Sequence, residues 1–293
     1  MASSSALKVP RLLGVVGAGQ MGAGIAQIAA AKGVRVIMAD VSQESLDRGS
    51  ATIHRSLARQ AQKGLTTQEE AALATERIRT DVSLNALAKA DFVIEAVSEN
   101  EKVKQSIFQQ LSQITGLDTV LASNTSSISI TRIAAATQRP QQVVGMHFMN
   151  PVPVMTLVEL IRGMQTSDEV HQAANSFAQH LGKTVCNSND RPGFIVNRVL
   201  MPMINEAFYT LMEGVGTAQD IDNGMKLGTN QPMGPLQLAD FIGLDTCLAI
   251  MRVLHAGLGD SKYRPCPLLV QYVDAGWMGK KTDKGVYTYA KQL

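Results

Sequence analysis

The sequence predicts an α/β protein: an N-terminal doubly wound, mostly parallel sheet with an inserted helical pair, followed by an all-α C-terminal domain. Short apolar runs alternate with helical stretches along the N-terminal part of the chain, which favours a parallel sheet covered by helices. A polar, helical stretch at 43–75 is too long for an ordinary connection and indicates the inserted pair. Beyond Arg191-Pro192-Gly193 the pattern is helical only, so we predict domains 1–190 and 191–293.

The first unit of the sheet is the most clearly patterned. Residues 12–17, LLGVVG, form a short apolar run, an Ala-rich helical stretch follows and ends at Gly33, and VRVIMAD at 34–40 reads as another buried strand. This strand, helix, strand order is that of a parallel βαβ crossover. Further strands are predicted at 90–97, 119–126, 142–149 and 154–161, with helices near 100–114 and 129–137 and one more helix and strand before the boundary.

The C-terminal domain is predicted to consist of helices. Its helical stretches read GFIVNRVLMPMINEAFYTLMEG, TAQDIDNGMKLG and LQLADFIGLDTCLAIMRVLHAGLG. The first carries the apolar stripe of Met201, Ile204, Phe208 and Leu211, with Asn197 as a polar residue at its start. We therefore expect Asn197 to bond either a substrate or a neighbouring backbone group.

Composition narrows the function classes. With 45% hydrophobic and 18% charged residues and a net charge of +2, the 293-residue chain is typical of a globular protein and gives no reason to expect a nucleic-acid or membrane partner. Cys186, Cys247 and Cys266 show no C-x-x-C spacing, so we expect neither a disulfide framework nor a metal site. A reducing, cytoplasmic compartment is the expectation. Because the chain ends in Lys-Gln-Leu, which differs from Ser-Lys-Leu at its first two positions, the peroxisomal matrix is the alternative.

A glycine turn points to a dinucleotide. Gly17, Gly19 and Gly22 lie in GAGQMG directly between a strand and a helix, where glycines permit the tight turn and the approach of a pyrophosphate. Asp40 ends the next strand, where a carboxylate binds ribose hydroxyls and repels a 2′-phosphate. The pattern predicts a Rossmann-like NAD site. Asp40 as a mere helix cap is the alternative, and nearby Arg48 keeps NADP open.

The stretch GMHFMNPVPVMTLVEL at 145–160 suggests a proton-transfer pair. Alternation places Glu159 on the apolar face of a strand, where an ionised carboxylate needs a partner. If the chain folds back at Asn150-Pro151-Val152-Pro153, the partner is His147, whose imidazole a carboxylate would orient. The alternatives are a structural histidine and a solvated edge carboxylate. Ser126, in SNTSS at a predicted strand end, is either a ligand-binding residue or a helix cap.

Several segments together resemble the short-chain L-3-hydroxyacyl-CoA dehydrogenase family, in its order and spacing over almost the whole chain. They are GAGQMGAGIAQIAA, SNTSSISIT, GMHFMNPVPVM with LVELI, RPGFIVNRVLMPMINEA, MGPLQLADFIGLD and GKKTDKGVY. The segment GLGDSKYRPCPLLVQYVDAG looks more like the 3-hydroxybutyryl-CoA dehydrogenases of bacteria and plants. The resemblance therefore implies oxidation of a short (S)-3-hydroxyacyl-CoA to the 3-ketoacyl-CoA with NAD.

The resemblance also implies roles for individual residues. His147 matches the general base that takes the proton of the substrate's 3-hydroxyl, Glu159 the carboxylate that orients it, and Ser126 and Asn197 the residues that hold the reacting oxygen and thioester. The positions that match NAD contacts are Asp40, Glu99, Lys104, Asn150 and Lys281. Lys280, which is adjacent to Lys281, could take the place of Lys281 as the NAD contact.

The inserted helices resemble a coenzyme A site. Ser56 and Lys63 match positions that touch coenzyme A, and they would share a helix face with Arg59. The alternative is a solvated helix with scattered charges. A homodimer through the helical domain is also implied. Alternatives are a dehydrogenase of a free hydroxyacid or sugar acid, such as gulonate, and a non-catalytic, crystallin-like NAD-binding protein. Enzymes resembling 3-hydroxyisobutyrate dehydrogenase carry a lysine where this chain has Gly193, which disfavours their chemistry.

Overall fold

The computed structural model describes residues 9–289. The chain divides into two compact units, the first ending at Arg191 and the second beginning at Pro192, one residue from the boundary expected after residue 190. The C-terminal Lys-Gln-Leu, on which the peroxisomal alternative depends, lies outside the described residues.

The first unit is built on one eight-stranded sheet. Its strands are β1 (Leu12–Val16), β2 (Arg35–Ala39), β3 (Ile78–Asp81), β4 (Phe92–Glu95), β5 (Val120–Ser123), β6 (Val143–Phe148), β7 (Leu157–Arg162) and β8 (Thr184–Asn189). They lie in the order β3-β2-β1-β4-β5-β6-β7-β8, and only β6 and β7 pair antiparallel. The predicted fold class is confirmed. The order reverses between β1 and β4, which is the point where ligands bind to open sheets of this kind.

Helices cover the sheet and include the predicted inserted pair. They are α1 (Gln20–Ala31), α2 (Gln43–Gln62), α3 (Gln68–Glu76), α4 (Glu101–Ile114), α5 (Ile130–Ala135) and α6 (Asp168–His180). The prediction of a helical pair at 43–75 is confirmed by α2 and α3, the second of which begins with a capping box between Thr67 and Glu70. Strand β3 was not predicted, because its four residues are exposed or half-buried and show no apolar run.

Small residues bring α1 and α2 close to the glycine turn. In α1, Ala23, Ala26 and Ala29 are buried against the core, so that the helix lies close to the sheet. In α2, a Cβ at Gly49 would lie 2.6 Å from the carbonyl oxygen of Ala18. Both helices are therefore held against the loop that follows β1.

The second unit is helical, as predicted. Its helices are α7 (Val196–Met212), α8 (Ala218–Gly228), α9 (Pro235–Ile242), α10 (Leu244–Leu258) and α11 (Pro267–Asp274). The stretch at 236–259 is broken at Gly243, whose φ of +103° ends α9 and lets α10 leave at 99°. Among residues 9–289, no single helix is long and apolar enough to cross a membrane, and only the bent pair α9 and α10 passes the same test when taken together.

Candidate active site

His147 and Glu159 face each other across two antiparallel strands. His147 on β6 pairs in register with Glu159 on β7, and the imidazole Nδ1 lies 2.7 Å from Oε2 of the carboxylate. Glu159 is fully buried, whereas His147 is 8% exposed. The carboxylate on the apolar face of β7 thus has the partner that the strand alternation required.

The loop between β6 and β7 is held in place by a lysine that precedes β8. Lys183, directly before β8, donates hydrogen bonds to the carbonyl oxygens of Val152 at 2.6 Å and Met155 at 2.7 Å. Burial lowers the pKa of this lysine below its ordinary value. Val152 is itself buried against α1. These contacts hold the turn that sets the register of His147 against Glu159.

The pair has the chemistry of a proton carrier. An ionised Glu159 can only accept, so Nδ1 of His147 must carry the proton that it shares with the carboxylate. Proton exchange with a substrate then falls to Nε2. The buried negative charge also stabilises the imidazolium that forms when His147 takes up a proton.

The three glycines of the turn after β1 differ in what requires them. Gly17 has a φ of +102°, and a Cβ at Gly22 would lie 1.8 Å from the carbonyl oxygen of Gly17. At Gly19, by contrast, a Cβ would meet nothing within 4 Å. Gly17 and Gly22 are therefore required by the turn itself. The space above Gly19 is open for a ligand at the N-terminus of α1, where amide donors and the helix dipole favour a phosphate.

A cavity of about 730 Å³ extends from this turn to Asp40. Asp40 follows β2, and its carboxylate accepts hydrogen bonds from the amides of Ala18 at 2.9 Å and Ser42 at 3.1 Å. Arg48 also lines the cavity, but its guanidinium pairs with Glu44. The volume, the open approach at Gly19 and the fixed carboxylate fit a dinucleotide whose ribose binds to Asp40.

Glu99 gathers the residues that follow β5. Its Oε1 accepts hydrogen bonds from the amide and hydroxyl of Ser126 at 2.9 and 3.1 Å, and from the hydroxyl of Thr125 at 2.6 Å. Burial alone would raise the pKa of Glu99, but the charge of Lys104 and these hydrogen bonds outweigh it and hold the pKa below its ordinary value. Two residues predicted separately, Glu99 and Ser126, are thus in direct contact.

One buried carboxylate near Glu99 and Ser126, that of Glu95, was not predicted from the sequence. Glu95, the last residue of β4, is fully buried and lies 2.7 Å from Nζ of Lys104. Lys104, predicted as an NAD contact, is 1% exposed, and its ammonium lies between Glu95 and Glu99. The signal was present in the sequence: FVIE ends an apolar strand with a carboxylate, the same anomaly that singled out Glu159.

The other predicted contacts of the first unit lie on its surface. Asn150 is exposed and lies two residues after β6, which ends at Phe148. Ser56 lies on α2 and is half-buried, and Lys63 is the exposed residue that ends this helix. Arg59, in the last turn of α2, is exposed as well. A half-buried serine and two exposed cations thus lie along one helix, whose other side is buried against the core.

Two predicted residues belong to the second unit. Asn197 lies in the first turn of α7 and is 7% exposed, so its amide is nearly buried at the start of the apolar stripe. Lys281 lies in a short 3-10 turn, and its Nζ is 2.7 Å from Oδ2 of Asp245. No group of three or more His, Cys, Asp or Glu suited to a metal ion occurs among residues 9–289.

Comparison with known proteins matches both units of the chain to domains of one family. Residues 12–191 match the family model of the 3-hydroxyacyl-CoA dehydrogenase NAD-binding domain, and residues 193–289 that of its C-terminal domain. A 3-hydroxybutyryl-CoA dehydrogenase from Bradyrhizobium diazoefficiens is 57% identical over 281 residues, which are 96% of each chain. The mitochondrial hydroxyacyl-coenzyme A dehydrogenase of Homo sapiens is 40% identical over 98% of this chain and 94% of its own. The crystal structure of an (S)-3-hydroxybutyryl-CoA dehydrogenase from Ralstonia eutropha has a TM-score of 0.94 at 51% identity, over 96% of this chain and all of that one.

Proposed function

The chain belongs to the 3-hydroxyacyl-CoA dehydrogenase family, and on that premise we propose that it catalyses the reversible, NAD-dependent oxidation of (S)-3-hydroxyacyl-CoA to 3-ketoacyl-CoA. The preferred substrate is 3-hydroxybutyryl-CoA, since relatives that are 56% and 57% identical bear the name of that activity. The observation that carries the proposal is the 2.7 Å contact between His147 and the buried Glu159.

The chemistry divides between cofactor and protein. The bound nicotinamide supplies the acceptor for the hydride that leaves C3 of the substrate. His147 takes the proton of the 3-hydroxyl through Nε2 as the carbon–oxygen double bond forms. Glu159 keeps the imidazole in the tautomer that can accept this proton and stabilises its charged form. In the reverse direction His147 returns the proton to the ketone oxygen.

Two further side chains position the substrate. We assign the hydroxyl of Ser126 and the amide of Asn197 to the reacting oxygen and the thioester group, as the family resemblance implies. The contacts from Glu99 to Ser126 support this assignment, because they fix the serine at the carboxyl end of β5, where ligands bind in open sheets. The near burial of the Asn197 amide supports a fixed donor and acceptor on α7.

The NAD site is assigned to the cavity at the glycine turn. Gly17, Gly19 and Gly22 form the turn, and Asp40 binds the ribose and excludes a 2′-phosphate. Glu99, Asn150 and Lys281 are assigned as further contacts. Lys104 acts on this site through Glu99, because its own ammonium is enclosed by carboxylates.

The coenzyme A portion is assigned to α2. Ser56 and Lys63 are its contacts, with Arg59 contributing a second cation in the last turn of the helix. In a protein whose net charge is only +2, these exposed cations provide a local site for the phosphates of coenzyme A.

The helical unit is assigned a second role, as a homodimer interface. Four large apolar side chains of its helices and loops are exposed: Val199 is 70%, Val215 74%, Leu227 79% and Phe241 56% exposed. Exposed apolar side chains, which the first unit also carries, can contribute to contact with another protein surface. Light scattering of the purified protein, with a mass near twice that of the 31.4 kDa chain, is the expected result.

A spectrophotometric assay tests the proposed activity. Purified protein mixed with acetoacetyl-CoA should oxidise NADH, with loss of absorbance at about 340 nm, the reduced nicotinamide band. Free acetoacetate with NADH, and gulonate with NAD⁺, in parallel reactions, separate this activity from that of a hydroxyacid or sugar-acid dehydrogenase. A folded protein that binds NADH but neither consumes NADH with the two keto substrates nor forms it from NAD⁺ with gulonate would instead match the non-catalytic alternative.

A further inference from the structure

A cluster of three charged side chains, of which Glu95 and Lys104 are buried and Glu99 is exposed, lies at the carboxyl ends of β4 and β5. The carboxylate of Glu95 accepts three hydrogen bonds of 2.7 Å, from Nζ of Lys104, the hydroxyl of Ser123 and the amide of Val97. Lys104 also lies 3.4 Å from the carboxylate of Glu99. With two carboxylates and one ammonium, the cluster has a net charge of −1.

The hydrogen bonds and the ion pair of the cluster do not require two carboxylates. Glu99 is already served by the hydroxyl of Thr125 and by the amides of Ser126 and Ser127. Lys104 and Glu95 would neutralise each other as a pair. Glu95 and Lys104 are buried, whereas the side chain of Glu99 is 37% exposed, so only one of the two carboxylates is shielded from water. A cation that arrives with a ligand would offset the surplus charge.

The cluster lies directly behind a wall of the dinucleotide cavity. Ala96 and Val97, the two residues after Glu95, line that cavity together with Gly17. The amide of Val97 is itself bonded to the Glu95 carboxylate at 2.7 Å. The negative charge is thus separated from the cavity by little more than one layer of backbone, where screening by water is weak.

The topology indicates which half of the dinucleotide faces the cluster. Asp40, after β2, marks the side of the ribose contact, and the strand order reverses between β1 and β4. A dinucleotide that crosses this point places its other half, the nicotinamide, above β4 and β5. That ring is cationic in NAD⁺ and neutral in NADH, whereas the adenosine half is the same in both.

We propose that Glu95 determines the relative affinity of the site for the two redox forms of the cofactor, by supplying the surplus negative charge that favours NAD⁺ over NADH. The inference rests on the proposed function, since it requires NAD in this cavity. Glu95→Gln keeps the shape and makes the cluster neutral. A unit charge acting across about 10 Å at an effective dielectric constant of about 20 to 40 corresponds to a shift of about tenfold in the ratio of the two affinities.

Isothermal titration calorimetry with NAD⁺ and with NADH tests this proposal. For Glu95→Gln, the affinity for NAD⁺ relative to NADH should fall about tenfold from the wild-type ratio. The matched control is Glu44→Gln, which removes the same charge from an exposed carboxylate near the adenosine side, where both forms are alike. Its ratio should stay at the wild-type value. A Glu95→Gln protein with an unchanged ratio overturns the proposal.

A double variant separates charge from structure. Glu95→Gln with Lys104→Met removes one charge of each sign and leaves Glu99, so the net charge returns to −1. The wild-type ratio should return, and a ratio as low as that of Glu95→Gln alone would contradict the charge argument. If Glu95→Gln does not fold, Lys104→Met decides the question: it leaves two carboxylates and no ammonium, so the ratio should shift about tenfold toward NAD⁺, and an unchanged ratio would overturn the proposal.

The proposed function fails separately from this inference. Wild-type protein that binds neither cofactor form overturns both. Wild-type protein that oxidises NADH with acetoacetyl-CoA, while the Glu95→Gln ratio stays unchanged, overturns the inference alone. Because the readout is binding of two cofactor forms, it does not depend on turnover by the variant.

Discussion

Replacing Glu159 by glutamine tests how much the buried carboxylate contributes to proton transfer. Glutamine has nearly the same shape, so the contact to Nδ1 of His147, 2.7 Å in the structure, can be kept as a neutral hydrogen bond. What the substitution removes is the negative charge opposite the imidazolium. Glu159 is fully buried, so water cannot take its place.

The magnitude follows from the geometry. Opposite unit charges about 4 Å apart attract by about 4 kcal/mol at an effective dielectric constant of about 20. The neutral hydrogen bond that glutamine retains is worth about 1 kcal/mol. The remaining loss of about 3 kcal/mol in stabilisation of the protonated His147 corresponds to about a hundredfold loss of turnover.

Steady-state kinetics with acetoacetyl-CoA and NADH provides the measurement. We expect Glu159→Gln to lower kcat about a hundredfold while NADH affinity stays within about twofold, since the pair acts on the proton and not on the cofactor. Glu169→Gln, the same change at an exposed position in the first turn of α6, is the control and should behave as wild type. A folded Glu159→Gln protein with kcat close to that of the wild type would refute the reasoning.

Three further predictions concern the cofactor site and the thiols. Asp40→Ala should lose the preference for NAD over NADP, seen as converging kcat/KM values, because the carboxylate no longer repels a 2′-phosphate; unchanged selectivity would count against the ribose contact. The lowered pKa of Glu99 means that its contribution to stability is present above its ordinary value of 4.5 and is lost as the pH falls through the lower folded value. The difference in melting temperature between wild type and Glu99→Gln should therefore shrink below that pH, and a difference that grows would contradict it. Burial raises the pKa of Cys247 to about 12, so a thiol reagent at neutral pH should modify the exposed Cys186 in the native protein and reach Cys247 only after unfolding; rapid native labelling of Cys247 would be the contrary result.

Local pattern was enough to predict the elements that carry the chemistry. The glycine turn and Asp40 follow from the βαβ spacing. Strand alternation and a Pro-containing turn suggested the pairing of His147 with Glu159, and the family resemblance strengthened it. In each case the partners lie within one supersecondary unit. The register of β6 against β7 is set by contacts that alternation can anticipate.

Features that depend on distant packing could not be predicted in the same way. Edge strand β3 has no apolar run, and the break at Gly243 depends on a backbone conformation that an apolar helical pattern conceals. The clamp of Lys183 on the loop after β6 joins residues 28 and 31 positions apart in sequence. Glu95 could be predicted in part. Its position in an apolar strand indicates that it has a partner, but only the packing of α4 identifies that partner as Lys104.

The most direct test of the proposed mechanism is the kinetic and binding behaviour of His147→Gln. If Nε2 of this histidine accepts the substrate proton, the variant should bind NADH as the wild type does and reduce acetoacetyl-CoA at least about a hundredfold more slowly, in line with the contribution of a general base. Turnover equal to that of the wild type, in a folded protein with intact NADH binding, would contradict the assignment of His147 as the proton carrier.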